Sequence, residues 1–276
     1  MGETGLEHDM KHESPTWRYQ GMLIAFALCC GAVGATVLGV LIINFEQLGA
    51  GPTSTALISG WIGLTMWLWT GVFITAHDAM HGLVLPHNDR VNYLVGKFCM
   101  SIYAMLPYDR MLAAHHVHHQ HPSEPEDPDY WPLHWPASIH ASLQPIGWFL
   151  GFMRNYLSWK PVLYFAVIFE SLHAFAGIEK SVMVMMWICP VVLSTIQLFI
   201  FGTWLPHRPG LAFEGSGPRK ARSNNYPEWV SFLTCFHFGY HYEHHDRPNI
   251  PWWSLPRARK ERLRRQNLVS LAIGKT

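Results

Sequence analysis

The sequence predicts an all-α integral membrane protein, with four transmembrane helices, further interfacial or re-entrant helices, and a histidine-rich cap on the cytoplasmic side. Three observations predict it. Long uncharged stretches recur along the chain, basic residues fall almost wholly on one side of them, and histidines gather just beyond their ends.

Residues 21–43 (GMLIAFALCCGAVGATVLGVLII) and 54–76 (STALISGWIGLTMWLWTGVFITA) carry no charge, and each can cross roughly 30 Å of hydrocarbon as a helix. Segments 161–178 (PVLYFAVIFESLHAFAGI) and 182–205 (VMVMMWICPVVLSTIQLFIFGTWL) repeat the pattern, the former with Glu170 and His173 inside it. Helices of soluble proteins average about 10–14 residues, which argues against two consecutive uncharged runs being buried core. Between the second and third spans, 91–106 (VNYLVGKFCMSIYAML) is short and interrupted by Lys97; it reads as a re-entrant or interfacial helix.

Basic residues favour the cytoplasmic side. With the N-terminus inside, the turns at 45–53 and about 178–181 lie outside, and of 20 Lys and Arg only Lys180 is then external. This orientation places both termini, the loop 77–160 and the tail 206–276 in the cytoplasm of a cell whose inner membrane holds the spans. The net charge of +1 hides that asymmetry. The tail run RARKERLRR (257–265) is expected near anionic lipid head groups rather than on nucleic acid. The polar N-terminal segment GETGLEHDMKHESP lacks a signal-peptide layout, and five cysteines without a CxxC pair read as buried thiols in a reducing compartment. With no internal repeat, residues 1–276 form one integrated domain.

The histidines carry the chemistry. His77 and His81 stand four apart at the end of the second span. In HHVHHQH, His115, His118 and His119 stand at i, i+3 and i+4; His207 follows the last span; and in HFGYHYEHH, His241, His244 and His245 repeat the i, i+3, i+4 pattern, with His237 expected one turn earlier on the same stripe. Burying so many imidazoles without a cation costs desolvation and, on protonation, mutual repulsion; a metal uses the neutral ring's lone pair. Nine ligands exceed one tetrahedral ion and suit two ions of higher coordination number, four or five imidazoles each. Imidazole accepts zinc, iron, copper or nickel. A site fed from the bilayer implies a lipid-soluble substrate with unactivated C–H bonds, whose modification needs a redox metal such as a pair of irons with O2. Zinc has no redox chemistry, and the HExxH motif of zinc hydrolases does not occur.

HDAMH, HHVHH and HYEHH resemble the three histidine boxes of the membrane fatty-acid desaturase and hydroxylase superfamily, whose members use a non-haem di-iron centre. FITAHDAMHG, HHVHHQHPSEPEDPDYW, FGTWLPHRPG and FHFGYHYEHHDRPNIPWWSLP are similar more specifically to the bacterial β-carotene ketolases. The resemblance spans about residues 20–256. It implies a desaturase-like fold and two iron ions held by His77, His81, His115, His118, His119, His207, His241, His244 and His245. His237 is an additional ligand or a partner of one, and Tyr242 stands where many such ketolases carry histidine. It further implies O2-dependent oxidation of C4 of a β-ionone ring to a ketone by successive hydroxylations. Asp78, Asp129 and Glu243 are expected to hydrogen-bond ligand imidazoles, with Asp127 either doing the same or belonging to a solvated turn. Trp131, Trp135, Trp204, Trp252 and Trp253 anchor the protein at the head groups or line a polyene tunnel. The chain carries no nicotinamide, flavin or iron–sulfur signature, so electrons come from an external donor such as ferredoxin and its reductase. Acyl-chain desaturases and hydroxylases and carotenoid 3-hydroxylases share the boxes. A metal transporter would space its histidines loosely and place polar groups within its spans.

Overall fold

A computed structural model describes residues 19–45, 51–131 and 143–273, and among them every regular element is helical. The expected external turn at 45–53 falls partly, and Trp135 wholly, outside the described residues.

Among the described residues, three helices are long and apolar enough to cross a membrane: α1 (Gln20–Phe45), α2 (Pro52–Met80) and the helix Lys180–His207. Helices α1 and α2 are apolar on all sides, and Leu23, Phe26, Leu41, Leu57 and Leu64 stay exposed; a helix with that pattern suits hydrocarbon on its outer face. Lipid tails are as apolar as leucine, so contact between such helices rests on close packing at small residues and on a few hydrogen bonds. Here Ala32 is fully buried, Trp61 Nε1 donates to the Ala35 carbonyl at 3.0 Å and Trp69 Nε1 to Thr36 Oγ1 at 3.0 Å.

Helix α3 (Asp89–Ala104) begins at Asn88, whose side chain accepts from the Val91 N–H, and buries Asn92, Gly96, Cys99, Met100 and Tyr103 while Leu94 and Phe98 face outward. That is one helical stripe. Met105, in the left-handed region, ends it. Pro107 then precedes α4 (Tyr108–Gln120), whose N-terminal Tyr108 sits so close to Gly96 that a Cβ there would collide with the phenol ring. After α5 (Gln144–Tyr156) comes α6 (Trp159–Ala176). This is the segment expected as the third span. It begins two residues before 161 and ends two before 178, buries none of its residues, and is not among the three helices above. Lys160 and Glu170 lower its hydropathy, and Glu170 pairs with Lys180 at 2.7 Å. The turn after it meets the end of α1: Asn44 Nδ2 donates to the Gly177 carbonyl and the Glu179 N–H to Asn44 Oδ1.

Helix α7 (Lys180–His207) is continuous but carries two π-helical segments, Val184–Ile188 and Phe199–Trp204. Such segments re-aim the turns that follow, and the second ends three residues before His207. A buried polar network joins the helices behind the site: Tyr103 and Ser194 hydroxyls are 2.9 Å apart, Thr70 donates to Gln197 Oε1 at 2.6 Å, and Gln197 Nε2 donates to the Thr234 carbonyl at 2.6 Å. Thr234 belongs to α8 (Glu228–Cys235), which leads through a tight turn into α9 (His241–Asp246); α10 (Leu255–Ile273) closes the described chain.

Replacing Gly96 by Ala forces Tyr108 off its seat, and overpacking of this kind costs about 1–3 kcal/mol. The variant is expected to unfold in detergent at a lower temperature than the parent, whereas Gly34→Ala, inside helix α1 with no atom in the way, keeps the midpoint or raises it, since alanine favours the helix.

Candidate metal centre

Each histidine reaches the centre from an end or a break in a helix. Helix α2 ends at Met80, and the chain turns through His81 and Gly82, which takes φ +74°; glycine caps a helix in that conformation at little cost. His77 and His81 thus project from the last turn. Helix α4 delivers His115, His118 and His119 and is stopped by Pro122. His207 closes α7.

The third box departs from its expected geometry. The stripe does not run on from His237, because α8 stops at Cys235 and Phe236 and His237 both take positive φ (48° and 61°). The Phe236 ring stacks on Trp67 at 4.4 Å, and the His237 ring lies over Tyr240 at 5.9 Å, away from the other histidines. Only after this turn does α9 begin, with His241, His244 and His245 all buried.

The nine remaining rings fall into two groups. His77, His81, His115, His119 and His244 bring one nitrogen each to within 4.8 Å of one another, and so do His118, His207, His241 and His245. Helical rotation explains the division. Rings at i and i+4 are about 40° apart, whereas i+3 and i+4 are about 100° apart, so α4 sends His115 and His119 to the first group and His118 to the second, while α9 sends His241 and His245 to the second and His244 to the first. The groups touch through His119 and His245, stacked at 4.3 Å.

Within the groups, nitrogens face one another: His81 and His115 Nε2 are 2.7 Å apart, His119 and His244 Nε2 2.9 Å, His241 and His245 Nε2 3.1 Å. Both His77 nitrogens, His207 Nε2 and His241 Nδ1 are buried without a hydrogen-bond partner among the described residues. One neutral ring can donate to another, but four or five lone pairs aimed at one point are not satisfied by exchanging protons. A cation at that point satisfies them together. Burial first, and then neighbouring imidazoles, hold His115, His119, His241 and His244 well below the usual imidazole range. Burial, with His118 second, does the same for His245. Burial with His116 beside it takes His81 to about 3. Such rings are neutral, the form that coordinates metals.

The outward nitrogens are anchored. His118 Nδ1 donates to Asp127 Oδ2 at 2.9 Å, His245 Nδ1 donates to the Pro218 carbonyl at 3.0 Å, and His207 Nδ1 shares a hydrogen bond with Ser123 Oγ at 3.1 Å. Each leaves Nε2 facing the group, the arrangement that fixes a metal-binding tautomer. His118 alone is shifted upward: burial opposes its charge, but the Asp127 carboxylate outweighs it.

The carboxylates differ from the sequence reading. Asp127, buried and also accepting from the Ser123 N–H at 2.8 Å, makes the imidazole bond expected of Asp129. Asp129 instead accepts from the Tyr156 hydroxyl at 2.5 Å, and burial raises its carboxyl to about 6. Asp78 accepts from the Trp252 N–H at 3.2 Å and lies 3.7 Å from His77 Nδ1, too far for a hydrogen bond. Glu243 touches no imidazole: Arg262 contacts it at 2.7 Å, Arg259 at 3.5 Å, and Ser223 donates to it. Part of the basic tail run therefore faces inward to hold α9, while Arg257 and Lys260 are exposed. His116 reaches toward the Met80 carbonyl and His121 pairs with Glu124 in an exposed turn.

A cavity of about 70 Å³ adjoins both groups. His77, His115, His118 and His241 form one wall, and Phe73, Met80, Met111, Phe152 and Phe238 make it apolar. Gly202 lets Phe238 approach, since a Cβ there would meet its ring at 2.8 Å. Of the tryptophans read as head-group anchors or tunnel lining, none of the described ones lines this cavity: Trp131 covers Gly151, Trp204 lies beneath Arg208, and Trp252 packs on Phe232 and Phe236.

The family model for fatty acid desaturases matches residues 52–180 and 142–270. The chain is 39% identical over 241 residues to the β-carotene ketolase of Paracoccus sp. strain PC1, covering 87% of this chain and 91% of that protein. It is 42% identical over 231 residues to the β-carotene ketolase of Paracoccus sp. strain N81106, covering 83% and 90%. The zeaxanthin 4-ketolase of Chlamydomonas reinhardtii is 34% identical over 247 residues, 86% of this chain and 53% of that protein.

Loss of an anchoring carboxylate typically weakens a metal site about 10–100-fold. Asp127→Asn is therefore expected to release metal at a chelator concentration lower by that factor, measured by metal analysis after dialysis, with His121→Ala unchanged from the parent.

Proposed function

This chain belongs to the β-carotene ketolases of the fatty acid desaturase family, and we propose that it oxidises the C4 methylene of β-ionone rings to a ketone, taking β-carotene through echinenone to canthaxanthin. The observation that carries the reading is a buried group of four histidines beside a partly buried group of five, with members of both lining an apolar cavity. A 3-hydroxylated ring is a second substrate class, favoured by the likeness to a protein named zeaxanthin 4-ketolase.

In this reading His77, His81, His115, His119 and His244 hold one iron and His118, His207, His241 and His245 the other. Two such ions, supplied with O2 and electrons from an external donor such as ferredoxin and its reductase, provide the oxidising power that a C–H bond demands. The protein's side chains do the rest. Phe73, Met80, Met111, Phe152 and Phe238 receive the ring and exclude water. Asp127, Ser123 and the Pro218 carbonyl fix three imidazoles, and Arg259 and Arg262 pin α9 through Glu243. Each hydroxylation consumes O2, two electrons and two protons and releases water; the geminal diol left by the second loses water to give the ketone.

We place the spans in the bacterial inner membrane, with the termini and the site cytoplasmic and the whole chain one domain. Helices α2 and α7 both end at the histidines, so the chain between them must return to the far side before α7 begins. Helix α6 supplies the return. Its 18 residues rise about 27 Å, close to the hydrocarbon thickness, and its end meets the end of α1. This supports four crossings despite Lys160 and Glu170.

Expression in cells that accumulate β-carotene is expected to yield echinenone and canthaxanthin on chromatography. Exclusively 3-hydroxylated carotenoids, or altered acyl chains with no ketone, would contradict the assignment. For topology, a cysteine at Glu179 should react with a membrane-impermeant maleimide added to intact cells, and one at Lys220 should not; the reverse labelling refutes the orientation.

A further inference from the structure

We propose that Asp129 and Tyr156 form a hydroxyl-binding subsite that retains the 4-hydroxy product of the first oxidation for the second; the inference rests on the ketolase reading. Apart from imidazoles, the polar side chains lining the cavity among the described residues are Asp129, Tyr156 and Thr203, alongside phenylalanines and methionines. The methylene of the starting ring has no hydrogen-bonding group to present to them. The alcohol it becomes does.

Asp129 is held firmly. Its N–H donates to Asp127 Oδ1 at 2.9 Å, its carbonyl accepts from Trp148 Nε1 at 2.7 Å, and Asn155 Nδ2 donates to the neighbouring Pro128 carbonyl at 2.8 Å. These bonds fix the backbone without using the carboxylate. One carboxylate oxygen, Oδ1, accepts from Tyr156, which is 4% exposed. Among the described residues no donor meets Oδ2, which leaves an acceptor on a residue that lines the cavity.

A hydroxyl entering an apolar cavity loses its water and is rejected unless it finds a partner. A carboxylate is a strong one, since hydrogen bonds to an ionised acceptor are about twice as strong as neutral ones. The alcohol is thereby held better than the hydrocarbon that precedes it. A two-step oxidation of one carbon needs that order, because the intermediate must stay while a second O2 and a second pair of electrons from the external donor arrive. The second step removes the remaining C4 hydrogen and adds oxygen, and water leaves the geminal diol. The ketone has no O–H to donate, so it loses this contact and departs. Asp129 touches the substrate in this scheme; Tyr156 is the positioning residue that aims its carboxylate.

The test uses Tyr156→Phe and Asp129→Asn in cells accumulating β-carotene, with carotenoids resolved by chromatography. The ratio of 4-hydroxy to 4-keto products is expected to rise about tenfold over the parent, the effect of weakening one hydrogen bond to a charged group. A purely structural role would lower total product and leave the ratio unchanged. Binding to purified protein, followed by quenching of tryptophan fluorescence, gives a reading even from an inactive variant: the parent should prefer 4-hydroxy-β-carotene to β-carotene about tenfold, and both variants should lose that preference. An unchanged preference in the variants overturns the proposal, and binding decides where the two measurements disagree. A parent that makes ketone while its variants keep its product ratio and preference sinks this inference alone; a parent that makes no 4-oxygenated product sinks the ketolase reading with it.

Discussion

Nine imidazole rings, six of them buried and three half-buried, must direct their lone pairs at something, and the rest of the molecule is arranged around that requirement. Mutual donation needs a donor for every acceptor, and rings whose Nδ1 already donates to Asp127 or to the Pro218 carbonyl have only a lone pair left at Nε2. Burial and mutual repulsion suppress protonation, leaving neutral donors concentrated at two points. The helices bring together rings that, without a cation, would be costly to bury.

The surrounding structure follows from this demand. Two membrane-length helices end at the same place, the π-helical turn of α7 aims His207, and the break at Phe236 and His237 frees α9 from the direction of α8. Backbone strain at two non-glycine residues of this kind costs of order 1–3 kcal/mol each, and the stacked Phe236 and the bond from the His237 N–H to the Ser231 carbonyl at 2.9 Å hold it in place. Glu243 gives α9 its second hold, through arginines on α10. A six-residue helix has little stability of its own, so its position depends on these contacts. The apolar cavity meets both histidine groups, through His77 and His115 of one and His118 and His241 of the other.

Much of this was legible in the sequence. Charge-free runs located α1, α2 and α7 to within a few residues, because hydrocarbon length is a strict requirement. Eight of the nine ring positions stood out because helical spacing is regular, and His207 because it follows directly on the last span. Other features carried no such signal. Asp127 and Asp129 alternate in one acidic turn, and the Ser123 N–H, positioned by a positive φ of 61°, selects Asp127 for His118. His237 looked continuous with its neighbours because phenylalanine and histidine give no warning of left-handed backbone. The inward arginines were indistinguishable from their exposed neighbours in one basic run, and Glu243 was read as a partner of imidazole for the same reason. Tyr156 lies in a separate helix and meets Asp129 only through the fold.

The central claim is that two histidine cages each hold a redox-active ion. Metal analysis of the purified protein, with Mössbauer spectra of iron-57-enriched material, tests it most directly. The account predicts two iron ions per chain, one for each group, in nitrogen-rich coordination. A single ion per chain, or zinc in place of iron in an otherwise active preparation, would contradict it.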